Sequence, residues 1–360
     1  MMQTKLVYVL TCAPEKHYIE QALMSVWSAR HWNPDAHIVL IVDDMTDKLF
    51  VGKRAEILDY ISEKIVVPFE DASISMMYRS RFIKTSVRRL VKGRYLFIDC
   101  DTIVRGSLEA VDGWTETVSA VPDALLPVAE YSSDMYNPIN ERAKVVGYDL
   151  SKEKYHFNSG VMLVEDVEEA YQLYELWHLY WEECTHKNLM ADQPALARAN
   201  VEMNHLIQPM DVKYNCIVYT QNNFTRQAKI IHISSYRNPS YIFSKKVLEY
   251  VMANGLKNQW LIDSVLNPCV TFLPFDNDVL HSDRKQRRGW IKEIARFSRG
   301  YGETIDASFA DFPMKSQFRS IVVGLMRVKC NGLAARMWML WKRRYVNRHK
   351  NTIKDNVCRK

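Results

Sequence analysis

The feature that most constrains this chain lies in its first hundred residues, where short apolar runs alternate with segments of helical periodicity. Lys5 to Leu10 (KLVYVL) is β-branched and apolar. Tyr18 to Arg30 then carries Ile19, Leu23, Val26 and Trp27 at helical spacing, and Ile38 to Val42 is a second apolar run. Ile65 to Pro68 reads as a third strand, Arg81 to Val91 as a helix, and Tyr95 to Ile98 as a fourth strand ending at Asp99. Alternation of this kind predicts an α/β fold, a Rossmann-like, mostly parallel sheet flanked by helices. Ligands of such sheets sit at the carboxyl ends of the strands, which is where candidate site residues are to be sought.

Further along, Gly160 to Val164 reads as a strand, Asp166 to His186 as a long helix and Ile230 to Ile233 as another strand. On the long helix Leu173, Trp177, Tyr180, Trp181 and Cys184 recur at spacings of three and four, a stripe assigned to packing rather than to a sugar platform. Beyond about residue 240 the chain becomes helical and basic, so the expected organisation is a catalytic domain over 1–240 and a helical, basic C-terminal region over 241–360. The net charge of +6 conceals that contrast: Met314 to Lys360 holds 13 Lys/Arg against the single acid Asp355, leaving 35 basic and 41 acidic residues elsewhere. With 48% hydrophobic and 25% charged residues, the composition excludes both a disordered chain and a multi-span membrane protein. Seven cysteines without a CxxC pair fit reduced thiols, and the first apolar stretch is too short to span a bilayer. The expected location is therefore cytoplasmic.

Two carboxylates spaced i, i+2 at the mouth of a strand can hold a divalent ion, and Asp99-Cys100-Asp101 after RYLFI has that arrangement. A solvated strand-end turn explains the same residues equally well, and a second such pair, Asp276 and Asp278, follows Pro274 and reads as loop. The context decides. LFIDCDTIV, FNSGVMLV (Phe157 to Val164), ADQPAL (Ala191 to Leu196) and KIIHIS (Lys229 to Ser234) occur in an order that resembles the motif series of glycosyltransferase family 8, over roughly residues 4 to 240.

The resemblance implies a GT-A type catalytic domain that transfers a hexose, glucose or galactose, from a UDP-sugar to a glycan or lipid-linked acceptor with retention of configuration. It implies that Asp99, Asp101 and His232 bind Mn2+, with Mg2+ as the alternative, an imidazole in the ligand set suiting manganese better. It places nucleotide contacts near Thr11, Cys12 and Tyr18, basic donor contacts at Arg81 and Lys84, and donor-sugar contacts at Asn158, Ser159 and Gly160. Gln193 and Asp192 take catalytic positions beside the donor sugar, Gln193 stabilising the oxocarbenium-like transition state and Asp192 positioning. Read alone, His232 is a core histidine, Asn158 to Gly160 a turn before a strand, and Asp192 ahead of Pro194 a helix N-cap.

The final motif departs from the family pattern: Ser235, Asn238 and Ser240 stand where Gly, Lys and Trp are expected, and Arg237 is the candidate to take over the phosphate contact. Two rival functions are an inverting transferase using Glu130 or Asp134 as base, and a non-catalytic protein that keeps the fold for binding. In the tail, Phe318, Ile321, Val322, Leu325 and Met326, then Leu333, Met337, Leu340 and Trp341, form an amphipathic pattern interleaved with Arg and Lys. That composition suits a helix lying on an anionic membrane surface, making the protein peripheral on the cytoplasmic face. Packing of the same helix on the body is the alternative, and no nucleic-acid module is recognisable.

Overall fold

The computed structural model describes residues 2–217, 227–233, 241–243 and 245–266. In chain order the strands are β1 (Lys5–Leu10), β2 (Ile38–Asp43), β3 (Glu63–Val67), β4 (Tyr95–Ile98), β5 (Thr102–Val104), β6 (Val118–Pro122), β7 (Phe157–Val164), β8 (Ile207–Pro209), β9 (Cys216–Ile217) and β10 (Ile230–His232). The helices are α1 (Tyr18–Trp32), α2 (Asp44–Asp47), α3 (Met76–Leu90), α4 (Ser133–Val146), α5 (Glu168–Thr185), α6 (Gln193–Glu202), α7 (Lys245–Asn254) and α8 (Gln259–Leu266).

Seven strands form one sheet in the order β3-β2-β1-β4-β7-β6-β8. All run parallel except β7, which is antiparallel to both β4 and β6. A second sheet, β5-β10-β9, continues from the end of β4. Every residue of β2 and β4 is buried, the signature of strands covered on both faces. The stripe on α5 is core as expected: Leu173, Trp177, Trp181 and Cys184 have no exposed surface and Tyr180 almost none.

Two boundaries move for identifiable reasons. The helix expected to start at Arg81 starts at Met76, because the Ser75 hydroxyl accepts the Tyr78 N–H and caps the first turn. The strand expected from Gly160 starts at Phe157, which pairs with Pro122 of β6, so Asn158, Ser159 and Gly160 lie in β7 and not in a turn before it.

The carboxyl end of β2 is held by an ion cluster around a buried arginine. Arg79 of α3, fully buried, donates at 2.9 Å to Asp43 at the end of β2 and at 2.9 Å to Asp44, and also to the Asp71 and Ile74 carbonyls. Asp43 in turn accepts the Thr46 N–H, capping α2. Helices α7 and α8 pack against α1, and Val247, Val251, Leu261 and Val265 on them are buried. Among the described residues no helix is long and apolar enough to cross a membrane, and Cys12, Cys100 and Cys184 form no disulfide. The amphipathic tail, Asp276, Asp278 and Arg237 lie outside the described residues.

Candidate active site

The site forms where the two sheets meet. Strand β4 stops at Ile98 and β5 begins at Thr102, so Asp99-Cys100-Asp101 is the turn between them. The Asp99 N–H donates to the Gly160 carbonyl at 2.7 Å, which extends the β4–β7 ladder by one residue and sets Asp99 beside Gly160. Strand β10 pairs antiparallel with β5, with His232 opposite Thr102, and the Ile233 N–H reaches the Asp101 carbonyl at 2.9 Å. Strand register alone therefore brings a histidine 130 positions downstream (232 against 102) next to the paired carboxylates.

One ligand atom from each of Asp99, Asp101 and His232 lies within 4.8 Å of the others, and His232 Nε2 is 3.2 Å from Asp101 Oδ1. Two carboxylate oxygens and one imidazole nitrogen converging in this way suit a divalent ion. The middle residue does not join them. Burial and the flanking Asp99 and Asp101 charges push the Cys100 thiol well up, and its Sγ faces the Val9 carbonyl at 3.2 Å.

The electrostatics divide the carboxylates. Burial raises Asp99, Lys84 pulls it back, and the Asp101 charge adds to the rise, leaving Asp99 above the usual carboxylate range. Burial opposes ionisation of Asp101 most strongly, but the His232 imidazole, a backbone N–H and the Lys84 charge together hold Asp101 low. Burial alone would depress His232; Asp101, with a smaller contribution from Asp99, raises it above its ordinary value instead. The imidazole also needs space, and β7 supplies it: a Cβ at Gly160 would fall 2.3 Å from His232 Cε1. The glycine expected to admit a sugar thus makes room for the histidine ring.

Helix α3 delivers two cations to the same place. Lys84 Nζ lies 3.0 and 3.1 Å from the two Asp99 oxygens and 3.7 Å from Asp192 Oδ2. Arg81 Nε is 3.2 Å from Asp192 Oδ1, and this carboxylate, more than burial, determines the raised pKa of Arg81. The cap expected of Asp192 is not made: it stands at the N-cap position of α6 with αR backbone angles and no side-chain cap bond. The physical reason is competition. Its carboxylate takes the Ser159 hydroxyl at 3.1 Å and the charges of Arg81 and Lys84, which are stronger partners than a backbone N–H. Although burial opposes ionisation, Lys84 and Arg81 keep Asp192 below the usual carboxylate range. Gln193 next to it donates from Nε2 to the Phe157 carbonyl at 2.8 Å, leaving Oε1 as the end that can face a ligand.

Asp99, Asp101, His232, Lys84, Arg81, Asp192, Ser159, Asn158 and Gly160 are thus brought into one connected cluster, with Gln193 at its edge. Thr11 and Cys12 sit beyond the end of β1, where the Thr11 hydroxyl donates to the Met76 carbonyl at 3.1 Å and Thr46 accepts the Cys12 N–H at 2.7 Å. Tyr18 opens α1, half exposed, near enough to act on the Arg81 charge. Glu130 is exposed at the end of a 3-10 turn. Two residues escape sequence reasoning. Asn215 and Asp123 join the cluster through Asn158, and nothing in VKYNC or VPDAL distinguishes them from ordinary turn residues.

A mostly parallel sheet thus ends in a carboxylate pair with an imidazole across a second sheet, which defines an α/β protein with a candidate metal site. More narrowly, the chain belongs to the family described as Glycosyl transferase family 8, whose profile matches residues 10–236, a span that includes every candidate site residue except Arg237. No curated protein matches the chain in sequence. Among solved structures it is similar to the galactosyltransferase LgtC in complex with donor and acceptor sugar analogs (14% identity, 71% of this chain and 99% of that one, TM-score 0.47). It is also similar to mouse xyloside xylosyltransferase 1 in its apo form (13%, 65% and 98%, 0.45). A third similar structure is the glycosyltransferase GlyE of Streptococcus pneumoniae TIGR4 (16%, 75% and 65%, 0.45).

Proposed function

We propose that this glycosyltransferase is metal-dependent and moves a hexose, glucose or galactose, from a UDP-sugar to a glycan or lipid-linked acceptor with retention of configuration. The observation that carries the metal is the convergence of Asp99, Asp101 and His232 within 4.8 Å on the carboxyl side of the sheet. A bound divalent ion, Mn2+ by the donor set, would offset the charge of the departing nucleoside diphosphate. The other residues have separate tasks. Arg81 and Lys84 keep Asp192 ionised and fixed through two ion pairs, so that a carboxylate of set orientation faces the donor sugar. Ser159 adds a third restraint on the same group. Gln193, anchored by its nitrogen to Phe157, presents an oxygen toward the positive charge that develops on the sugar.

The test is donor hydrolysis with and without Mn2+ in wild type and Asp101→Ala, alongside anomeric analysis of the product. Loss of Mn2+-stimulated turnover in a folded variant supports the reading, and unchanged turnover in a chelator-stripped assay removes it. The proposal extends to the location: the basic amphipathic tail would hold the enzyme on an anionic membrane surface, where a lipid-linked acceptor is presented. Salt-sensitive sedimentation with anionic vesicles, lost on truncation near Pro313, is the outcome that supports this.

A further inference from the structure

We propose that Asn215 is a positioning residue that fixes the Nδ1–H tautomer of His232, so that Nε2 is the nitrogen turned toward Asp101 for a metal ion. The inference rests on the reading of Asp99, Asp101 and His232 as ligands. Its basis is a hydrogen-bonded chain whose direction can be established from atoms that have no alternative role.

The chain starts at the Gly160 backbone N–H, which can only donate. It lies 2.9 Å from one amide atom of Asn158, which must therefore be the oxygen, Oδ1. The other end of Asn158 agrees, since its Nδ2 donates to Asp123 Oδ1 at 3.1 Å. Asn158 Oδ1 also meets Asn215 at 2.9 Å, so the Asn215 atom there must be its donor, Nδ2. That leaves Asn215 Oδ1 facing His232 Nδ1 at 3.0 Å. An oxygen acceptor requires a proton on Nδ1, so the proton that a metal ion would displace is the one on Nε2, which faces Asp101 Oδ1 at 3.2 Å. Reversing any one amide would set like poles against each other inside the protein, because Asn215 is wholly buried and His232 nearly so.

The backbone keeps the two residues together. Asn215 immediately precedes Cys216, which pairs with Ile231 in the parallel β9–β10 ladder. The strand that carries the histidine is therefore tied to the residue that orients it. Metal-ligating imidazoles commonly rely on such a partner at the remote nitrogen, and its loss typically lowers ion affinity about 10–100-fold.

The test uses the full chain with 15N-labelled histidine, the His232 signal being identified by its loss in His232→Gln. In metal-free wild type, at a pH above the titration of the ring, His232 is expected to show Nδ1–H. Asn215→Leu is expected to lose that tautomer and to bind Mn2+ roughly 10–100-fold more weakly by calorimetry. Asn215→Asp, whose carboxylate still accepts from Nδ1, is expected to keep the tautomer and bind Mn2+ more tightly than Asn215→Leu. An Nε2–H signal in wild type, or wild-type tautomer and affinity in Asn215→Leu, overturns the proposal. Should Asn215→Leu fail to fold by circular dichroism, the wild-type spectrum and Asn215→Asp decide. Unchanged Mn2+ affinity in Asp101→Ala would remove the metal reading separately, since the tautomer measurement uses no ion.

Discussion

Gly160→Ala probes the site by adding one methyl group. The new Cβ would lie 2.3 Å from His232 Cε1, 2.7 Å from His232 Nδ1 and 2.8 Å from Asn158 Oδ1. Ordinary carbon–carbon contact begins at about 3.5 Å, so the ring must retreat by about 1.2 Å. It cannot do so freely, because Nδ1 is held by Asn215 at 3.0 Å and the backbone of β10 is paired on both sides. Overpacking of this kind costs about 1–3 kcal/mol of stability. The effect on the ion is larger in proportion, since ligand distances tolerate only about 0.2 Å. Mn2+ affinity should fall at least about tenfold, equivalent to ~1.4 kcal/mol. Urea unfolding of the metal-free protein and calorimetric Mn2+ titration measure the two parts. Gly113→Ala, where an added Cβ meets nothing within 4 Å, is the control. Wild-type Mn2+ affinity together with an unchanged unfolding midpoint in Gly160→Ala would refute the argument that this glycine exists to seat the histidine.

Arg79→Met leaves Asp43 buried without its cation and should destabilise by about 3–5 kcal/mol in urea unfolding, with Asp43→Leu added in the same chain recovering much of the loss. A change below about 1 kcal/mol would mean the pair contributes little. The raised pKa of His232 predicts that the stability its pairing with Asp101 confers is fully present below about pH 6.5 and lost as pH rises through the folded value. The stability difference between metal-free wild type and His232→Gln should narrow over that rise, whereas Mn2+ affinity should increase as the Nε2 proton leaves; a difference constant with pH contradicts the pairing. Gln193→Ala should lower kcat by roughly 100-fold with little change in donor affinity, and the opposite split would make Gln193 a binding residue.

The centre of the sheet was readable in the sequence because β1, β2 and β4 are buried almost throughout. After Lys5, the runs LVYVL, IVLIV and YLFI hold no charged position to confuse strand with surface, and the structure keeps those strands within one residue of the expected bounds. Strands β5, β8 and β9 have two or three residues each, too few to show any period, and α4 begins with SDMYNP, which reads as a turn. At the site, Asp99 and Asp101 announce themselves by spacing, whereas His232 became a candidate through the motif order and gained its place from the β5–β10 register. Asp192 shows how a local rule fails: the sequence DQP predicts a cap, but two cations from a distant helix outcompete the backbone. Asn215 could not be found from local sequence, since its role depends on hydrogen bonds to His232 and Asn158, 17 and 57 positions away.

The ligand set closes late in the life of the chain. The β1–β2–β3 ladder needs only residues 5 to 67, but the pairing that seats the histidine joins 102–104 to 230–232 and must wait for most of the domain to dock. Contacts of such long sequence separation form slowly. On the proposed metal reading, an ion held only by the closed arrangement would stabilise that arrangement by mass action. Persistence of a metal-loaded enzyme would then follow the rate at which β5 separates from β10, a rate that ion loss to a chelator would report.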